Sequence, residues 1–367
     1  MAKAKMAIDE EELEGLDNGS SDRQRLDYPL DDVMVRSETR TVAEIIRRIE
    51  NGRYVMDPDF QRDFVWPPDK QSKLIESCVM RIPLPVFYVA EGEDGRVTVV
   101  DGLQRLSTFR AFIANKLALK GLGEEHPLEG LRYDDLPINL RERIEDTQLT
   151  LYILDKNAPE AARLDIFERV NSGVPLTRQQ MRNALYNGQA TQWIANRSRK
   201  NPFMRVTGGS LSATTMRDRE AINRFCAFSL IGHSKYTGDM DEFLANVLRL
   251  MNKLDEAALE QLRIDFTRSM NRNEKLFQKH AFRKSLIYSA SANRSVLNIA
   301  LFDVMSVVLA RVDEEQFESQ QRYIKDVIIE LLNNEEFSNY ITYSTNSKFQ
   351  VQGRFRLAEE ALEVYLP

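Results

Sequence analysis

The run Val97-Thr98-Val99-Val100-Asp101-Gly102-Leu103-Gln104-Arg105-Leu106-Ser107-Thr108 carries the side chains best spaced for chemistry. β-Branched residues predict a strand, Asp-Gly predicts a corner, and a helix pattern opens directly after it. Arg105 falls in the first turn of that helix, where the macrodipole disfavours a cation. A cation there calls for an anion beside it, and free amides at a helix start bind anions. Gly102 permits a turn that other residues resist. Asp101 suits a ribose or base contact, a metal ion or general-base work. Gln104 suits orienting a water or a phosphate, and Arg105 offers a fork to phosphate oxygens. A plain corner, with Asp101 as N-cap and Arg105 in solvent, reads equally well.

Three more constellations stand beside it. Phe60-Gln61-Arg62 with Trp66 lies in an irregular, proline-bounded segment. It suits stacking on a base and gripping a phosphate, or pinning a loop to the core. Phe167-Glu168-Arg169-Val170-Asn171-Ser172-Gly173 ends a helix, and the dipole alone accounts for a cation at Arg169. Residues 196–225 hold seven Lys/Arg against two acids, and residues 263–294 hold eight against two. These are candidate phosphate-tracking surfaces, or ordinary solvated helix faces.

The elements that must position these groups are legible in part. Thr41 with Glu44 reads as a capping box, followed by Val42, Ile45, Ile46 and Ile49 on one face and Asn51-Gly52 as the stop. A second helix carries Leu74, Ile75, Cys78 and Val79. Val86 to Ala90 and Arg96 to Val100 read as a hairpin around Gly92–Gly95. The helix after the corner extends to about Leu117, residues 119–137 read as a loop, and Leu149 to Leu154 as a strand. A helix from Pro159 follows, and Thr177 with Gln180 forms a second capping box. Beyond residue 190 the pattern is helix after helix, with stripes such as Phe243/Val247/Leu250/Leu254 and Val307/Val308/Val312.

This predicts an α+β protein. A flexible acidic tail spans residues 1–30, a mixed domain residues 31–190 and an all-α domain residues 191–367. The tail assignment rests on ten acids against four bases within residues 1–32. A net charge of -6 argues against a uniformly basic DNA-coating protein without excluding local basic patches. No apolar run of about 18 residues and no signal-like N-terminus is present, so a cytoplasmic protein is expected. Two cysteines exclude a disulfide framework or zinc ribbon, and His126, His233 and His280 have no metal-type or nucleophile-type neighbours. No P-loop, serine elbow or metal-ligand set occurs. Carboxylate–Mg²⁺ chemistry stays open, since it needs only acids and substrate phosphates.

In order and spacing, Phe60-Gln61-Arg62 with Trp66, Leu74-Ile75-Glu76-Ser77, Ile82-Pro83-Leu84-Pro85, Val100 to Thr108, Phe167 to Gly173 and Leu176-Thr177 resemble one family. It is the N-terminal domain of GmrSD-type, type IV restriction proteins, with a ParB/sulfiredoxin-like fold, over about residues 35–190. The resemblance implies a nucleotide-binding, NTP-hydrolysing module of a prokaryotic anti-phage system that senses DNA or controls a nuclease. It implies catalytic roles for Asp101, Gln104 and Arg105. Ligand-binding roles fall on Phe60, Gln61, Arg62, Gly102, Thr108, Arg169 and Asn171. The cofactor implied is a nucleoside triphosphate of open identity, with Mg²⁺ as an optional companion. DNA would be met through the helical domain, a separate nuclease subunit is a candidate partner, and a homo-oligomer stays open. The family commonly has glutamine where this chain has Leu103, which points either to altered hydrolysis or to a core-facing residue. Its His-Asn-His nuclease domain has no counterpart in this sequence. A non-enzymatic DNA-binding sensor or an assembly subunit on the same scaffold is the alternative.

Overall fold

A computed structural model describes residues 14, 35–56, 66–92, 95–156, 158, 160–170, 176–288 and 291–366. The described residues within Leu26–Leu185 form one compact unit. Those within Tyr186–Pro367, joined by Glu14, form another.

The first unit is mixed α+β. Its elements run β1 (Val35–Thr41), α1 (Val42–Glu50), β2 (Tyr54–Val55), α2 (Pro68–Val79), β3 (Phe87–Glu91), β4 (Val97–Asp101), α3 (Leu103–Ile113), α4 (Ile138–Glu145), β5 (Gln148–Leu154), α5 (Glu160–Val170) and α6 (Arg178–Leu185). Among the described residues the sheet has five strands in the order β1-β5-β3-β4-β2. β1 pairs antiparallel with β5, β3 parallel with β5 and antiparallel with β4, and β2 parallel with β4. The alternating residues Phe87, Val89, Val99, Leu149, Leu151 and Ile153 join the apolar stripes of α1, α2 and α3 in one core. Val100 alternates away from that core and is fully buried, and α5 and α6 pack against its strand.

Local signals explain the boundaries. Thr41 Oγ1 accepts the Glu44 N–H at 3.2 Å. The expected box is one-sided, because the Glu44 carboxylate accepts from Arg40 and Arg48 instead. At α6 the box closes both ways. Thr177 Oγ1 accepts the Gln180 N–H at 3.3 Å, and Gln180 Oε1 accepts the Thr177 N–H at 2.7 Å. The helix after the corner stops at Ile113 rather than near Leu117, because Asn115 adopts a left-handed conformation (φ 57°) that closes it. β1 was not foreseen. It is an edge strand, and its core-side positions Arg36, Glu38 and Arg40 are charged. They are held by ion pairs to Glu91 and Glu44 and to one another's neighbours rather than by apolar burial.

The second unit is helical: α7 (Gln189–Ser198), α8 (Asn201–Thr207), α9 (Arg217–Leu230), α10 (Met240–Met251), α11 (Glu256–Phe277), α12 (Ile299–Arg311), α13 (Glu314–Asn333), α14 (Glu335–Tyr340) and α15 (Lys348–Ala361). The Val307/Val308/Val312 stripe is buried as expected. In α10 the buried face is Phe243, Leu244, Val247, Leu248 and Met251, and Leu250 is exposed. Phe243 and Val247 of the expected stripe are buried, and from there the stripe runs to Met251 rather than Leu250. Glu14, inside the expected acidic tail, pairs through its backbone with Leu297 and Ile299 and through its carboxylate with Lys284.

A buried charge network locks this unit. Asp303 accepts from Arg224 at 2.8 and 2.6 Å and from Arg354 at 2.8 Å, with all three side chains at 0% exposure. Breaking such a network strands buried charge, at a cost of about 3–5 kcal/mol. Asp303→Ala is therefore expected to lower the stability of the helical unit by about that amount in urea denaturation. A loss near 0.5 kcal/mol would contradict this role for the network.

Candidate functional site

The corner is built by three local devices. The first is a register shift in the hairpin. Val89 faces Val99, but Tyr88 faces Asp101, so Val100 is the extra residue of a bulge in β4. Strict alternation would send Asp101 toward the core face with Val99. A bulge re-aims the residue that follows it, and the Asp101 side chain is 37% exposed.

The second device is Gly102. It occupies φ 101°, ψ 6° as the N-cap of α3. A Cβ there would overlap the Phe87 ring, coming 2.8 Å from Cε1 and closer still to Cδ1. Asp101 is therefore not the N-cap of the plain-corner reading, and α3 starts with no side-chain cap.

The third is Arg105, which is 7% exposed rather than solvated. Its Nη2 donates to Asp101 Oδ2 at 2.7 Å and to the Val86 carbonyl at 3.0 Å, and its Nη1 donates to the Pro85 carbonyl. The guanidinium lies 4.1 Å over the Phe87 ring centroid. Burial pulls its pKa below the usual arginine value, and the Asp101 charge opposes that shift. The anion that a first-turn cation calls for is thus Asp101 itself. The fork expected to grip phosphate instead fixes the carboxylate and two backbone carbonyls.

Gln104 Oε1 accepts the Trp66 N–H at 3.2 Å. Trp66 packs against the core, and Gln71 Nε2 donates to its carbonyl at 2.9 Å. The backbone at Trp66 is thereby tied to the corner. Phe60, Gln61, Arg62 and Asn171 themselves lie outside the described residues. Thr108 is buried and donates its hydroxyl to the Gln104 carbonyl at 2.8 Å, so its hydroxyl serves the helix. Leu103 is 6% exposed and belongs to the core, which decides between the two readings of that departure. Arg169, on the last turn of α5, is 69% exposed at its side chain and paired with Asp165 at 2.8 Å. Among the described residues no bond joins it to the corner, although its helix lies against β4.

Pro85, Val86 and Phe87 had no place in the expected site. Their part is non-local: Arg105 reaches back across 19 and 20 residues to their carbonyls, which no short-range spacing reveals. The same holds for the buried Glu160–Arg163 pair, whose Arg163 Nη2 donates to the Glu91 carbonyl at 3.3 Å.

Chemically, the corner presents one half-open carboxylate with a fixed orientation, beside a helix start whose N-cap residue makes no side-chain bond. Among the described residues no group of three metal-ligating side chains occurs. A divalent ion here would be shared between Asp101 and substrate phosphates, the usual manner for Mg²⁺.

Residues 42–187 match the family described as GmrSD restriction endonuclease, N-terminal domain. No match was found among curated proteins.

The geometry makes Gly102 the strictest position. A left-handed backbone costs a non-glycine residue about 1–3 kcal/mol, and the overlap with Phe87 adds about 1–3 more. Gly102→Ala is expected to cost clearly more stability than Gly52→Ala, where φ is 68° and a Cβ meets nothing within 4 Å. Equal losses in thermal melting would contradict the packing of Phe87 against the corner.

Proposed function

We propose that the first unit binds a nucleoside triphosphate with Mg²⁺ and hydrolyses it, as the control module of a prokaryotic anti-phage restriction system. The observation that carries this reading is the bulge-aimed Asp101, held by a buried arginine and open on its outer side. A phosphate and a carboxylate repel one another at a shared corner unless a cation stands between them. When bound, Mg²⁺ supplies that neutralisation and polarises the phosphoryl group.

The chain's own residues divide the remaining work. Asp101 orients the metal or the attacking water. Arg105 is a positioning residue, because its bond to Oδ2 keeps the Asp101 carboxylate aimed. Gln104 holds the Trp66 backbone at the corner, and the roles of covering the base and phosphates are proposed for Phe60, Gln61 and Arg62. Arg169 is an exposed cation, and surface ion pairs such as Arg169–Asp165 are worth only about 0–1 kcal/mol, so exchange of Asp165 for a phosphate is cheap. The helical unit contacts DNA or a nuclease partner in a cytoplasmic complex. One observation favours a second reading, a non-enzymatic sensor that only clamps its nucleotide: the charge of Arg105 is already matched by Asp101.

A phosphate-release panel over the common nucleoside triphosphates, with and without DNA, separates the two. Asp101→Asn is expected to lower turnover by about two orders of magnitude or more, with the circular dichroism of the native protein. Nucleotide binding without any phosphate release would leave the sensor reading. No binding of any triphosphate would overturn both.

A further inference from the structure

The second unit gathers cations from two separate stretches of sequence. Arg197 lies in the last turn of α7 and Lys200 just before α8, while Arg263 lies in the first half of α11. With Phe203 and Phe266 they line one cleft of about 390 Å³. This cleft is where the two basic-rich stretches of the sequence meet.

Its charges are poorly matched. Arg263 has a forked pair with Glu260, which takes up the carboxylate of the neighbourhood. Arg197 Nε is buried with no hydrogen-bond partner. Burial and then the nearby Arg263 charge pull the Arg197 pKa down, and Glu260 only partly opposes them. Lys200 is exposed and has no side-chain partner among the described residues. Like charges held together in an otherwise acidic chain of net charge -6 are a standing cost that an anion removes.

The shape points to the kind of anion. Phe203 and Phe266 are 2% and 3% exposed, so the floor is core and does not move. The face of the nearby Trp193 is taken by Arg197 at 5.8 Å, and its indole N–H donates to the Leu259 carbonyl. No open aromatic face is left for stacking a base, and the rim offers cations rather than base-reading groups. Such a surface grips backbone phosphate without reading sequence.

We propose that Arg197, Lys200 and Arg263 form a phosphate-gripping cleft through which the helical unit holds the sugar–phosphate backbone of duplex DNA. The inference takes from the proposed function only that DNA is the target polymer. Turnover at Asp101 does not enter, so either can fail alone.

The test uses the full chain and a fluorescent duplex of about 30 base pairs, read by anisotropy across a salt series. Lys200→Glu is expected to weaken duplex binding roughly tenfold at low salt and to lower the slope of log affinity against log salt by about one. Lys200→Gln and Arg197→Gln should show the same direction with smaller size. Arg322→Glu, an exposed site on α13, should bind duplex as the native protein does. Three outcomes overturn the proposal: no duplex binding by the native chain, equal loss in Lys200→Glu and Arg322→Glu, or loss of free-nucleotide binding with duplex binding intact.

Discussion

A buried cation in the first turn of a helix faces both desolvation and an opposing dipole. Arg105 meets both at once, and the corner is shaped by how they are relieved. Its guanidinium is stacked on Phe87, bonded to the Pro85 and Val86 carbonyls and paired with Asp101. These partners fix where β3 begins, where β4 ends and which way its last carboxylate points. Gly102 must be glycine because the same packing brings the Phe87 ring against its Cα. The bulge at Val100 must exist because a strictly alternating strand would turn Asp101 toward the core.

The functional consequence is a division of labour within one pentad. Leu103 anchors the helix to the core, Arg105 holds the carboxylate, and Gln104 holds the chain at Trp66. Only Asp101 is left facing outward. The corner turns an ion-paired carboxylate outward rather than a free cation, and the proposal of a metal-bridged triphosphate rests on that. Among the described residues, cations free of a close carboxylate partner line a cleft of the helical unit instead, at Arg197 and Lys200, where phosphate binding is proposed.

Short-range patterns carried much of the fold. The Thr177/Gln180 box, the hairpin around Gly92 and the strand into Asp101 all follow from neighbours within a few residues. β1 was hidden because Arg36, Glu38 and Arg40 satisfy their core-side positions by ion pairing, which leaves no apolar alternation to read. β2 is two residues long, and α4 buries only Ile144, so neither offers a period. At the site, the ordered motifs located the corner and its family. They did not reveal that Arg105 is buried, because its partners lie 19 and 20 residues back in a proline-rich stretch that reads only as a helix stop. Composition marked two basic stretches, but only folding brings Arg197 and Lys200 beside Arg263.

The most direct measurement is hydrogen–deuterium exchange of the native chain with and without a magnesium–nucleoside triphosphate. The account predicts added protection at the amides of Leu103 to Leu106 and at Trp66, the two chain segments that Gln104 brings together. Nucleotide binding that leaves both segments unchanged, or protects only the helical unit, would contradict it.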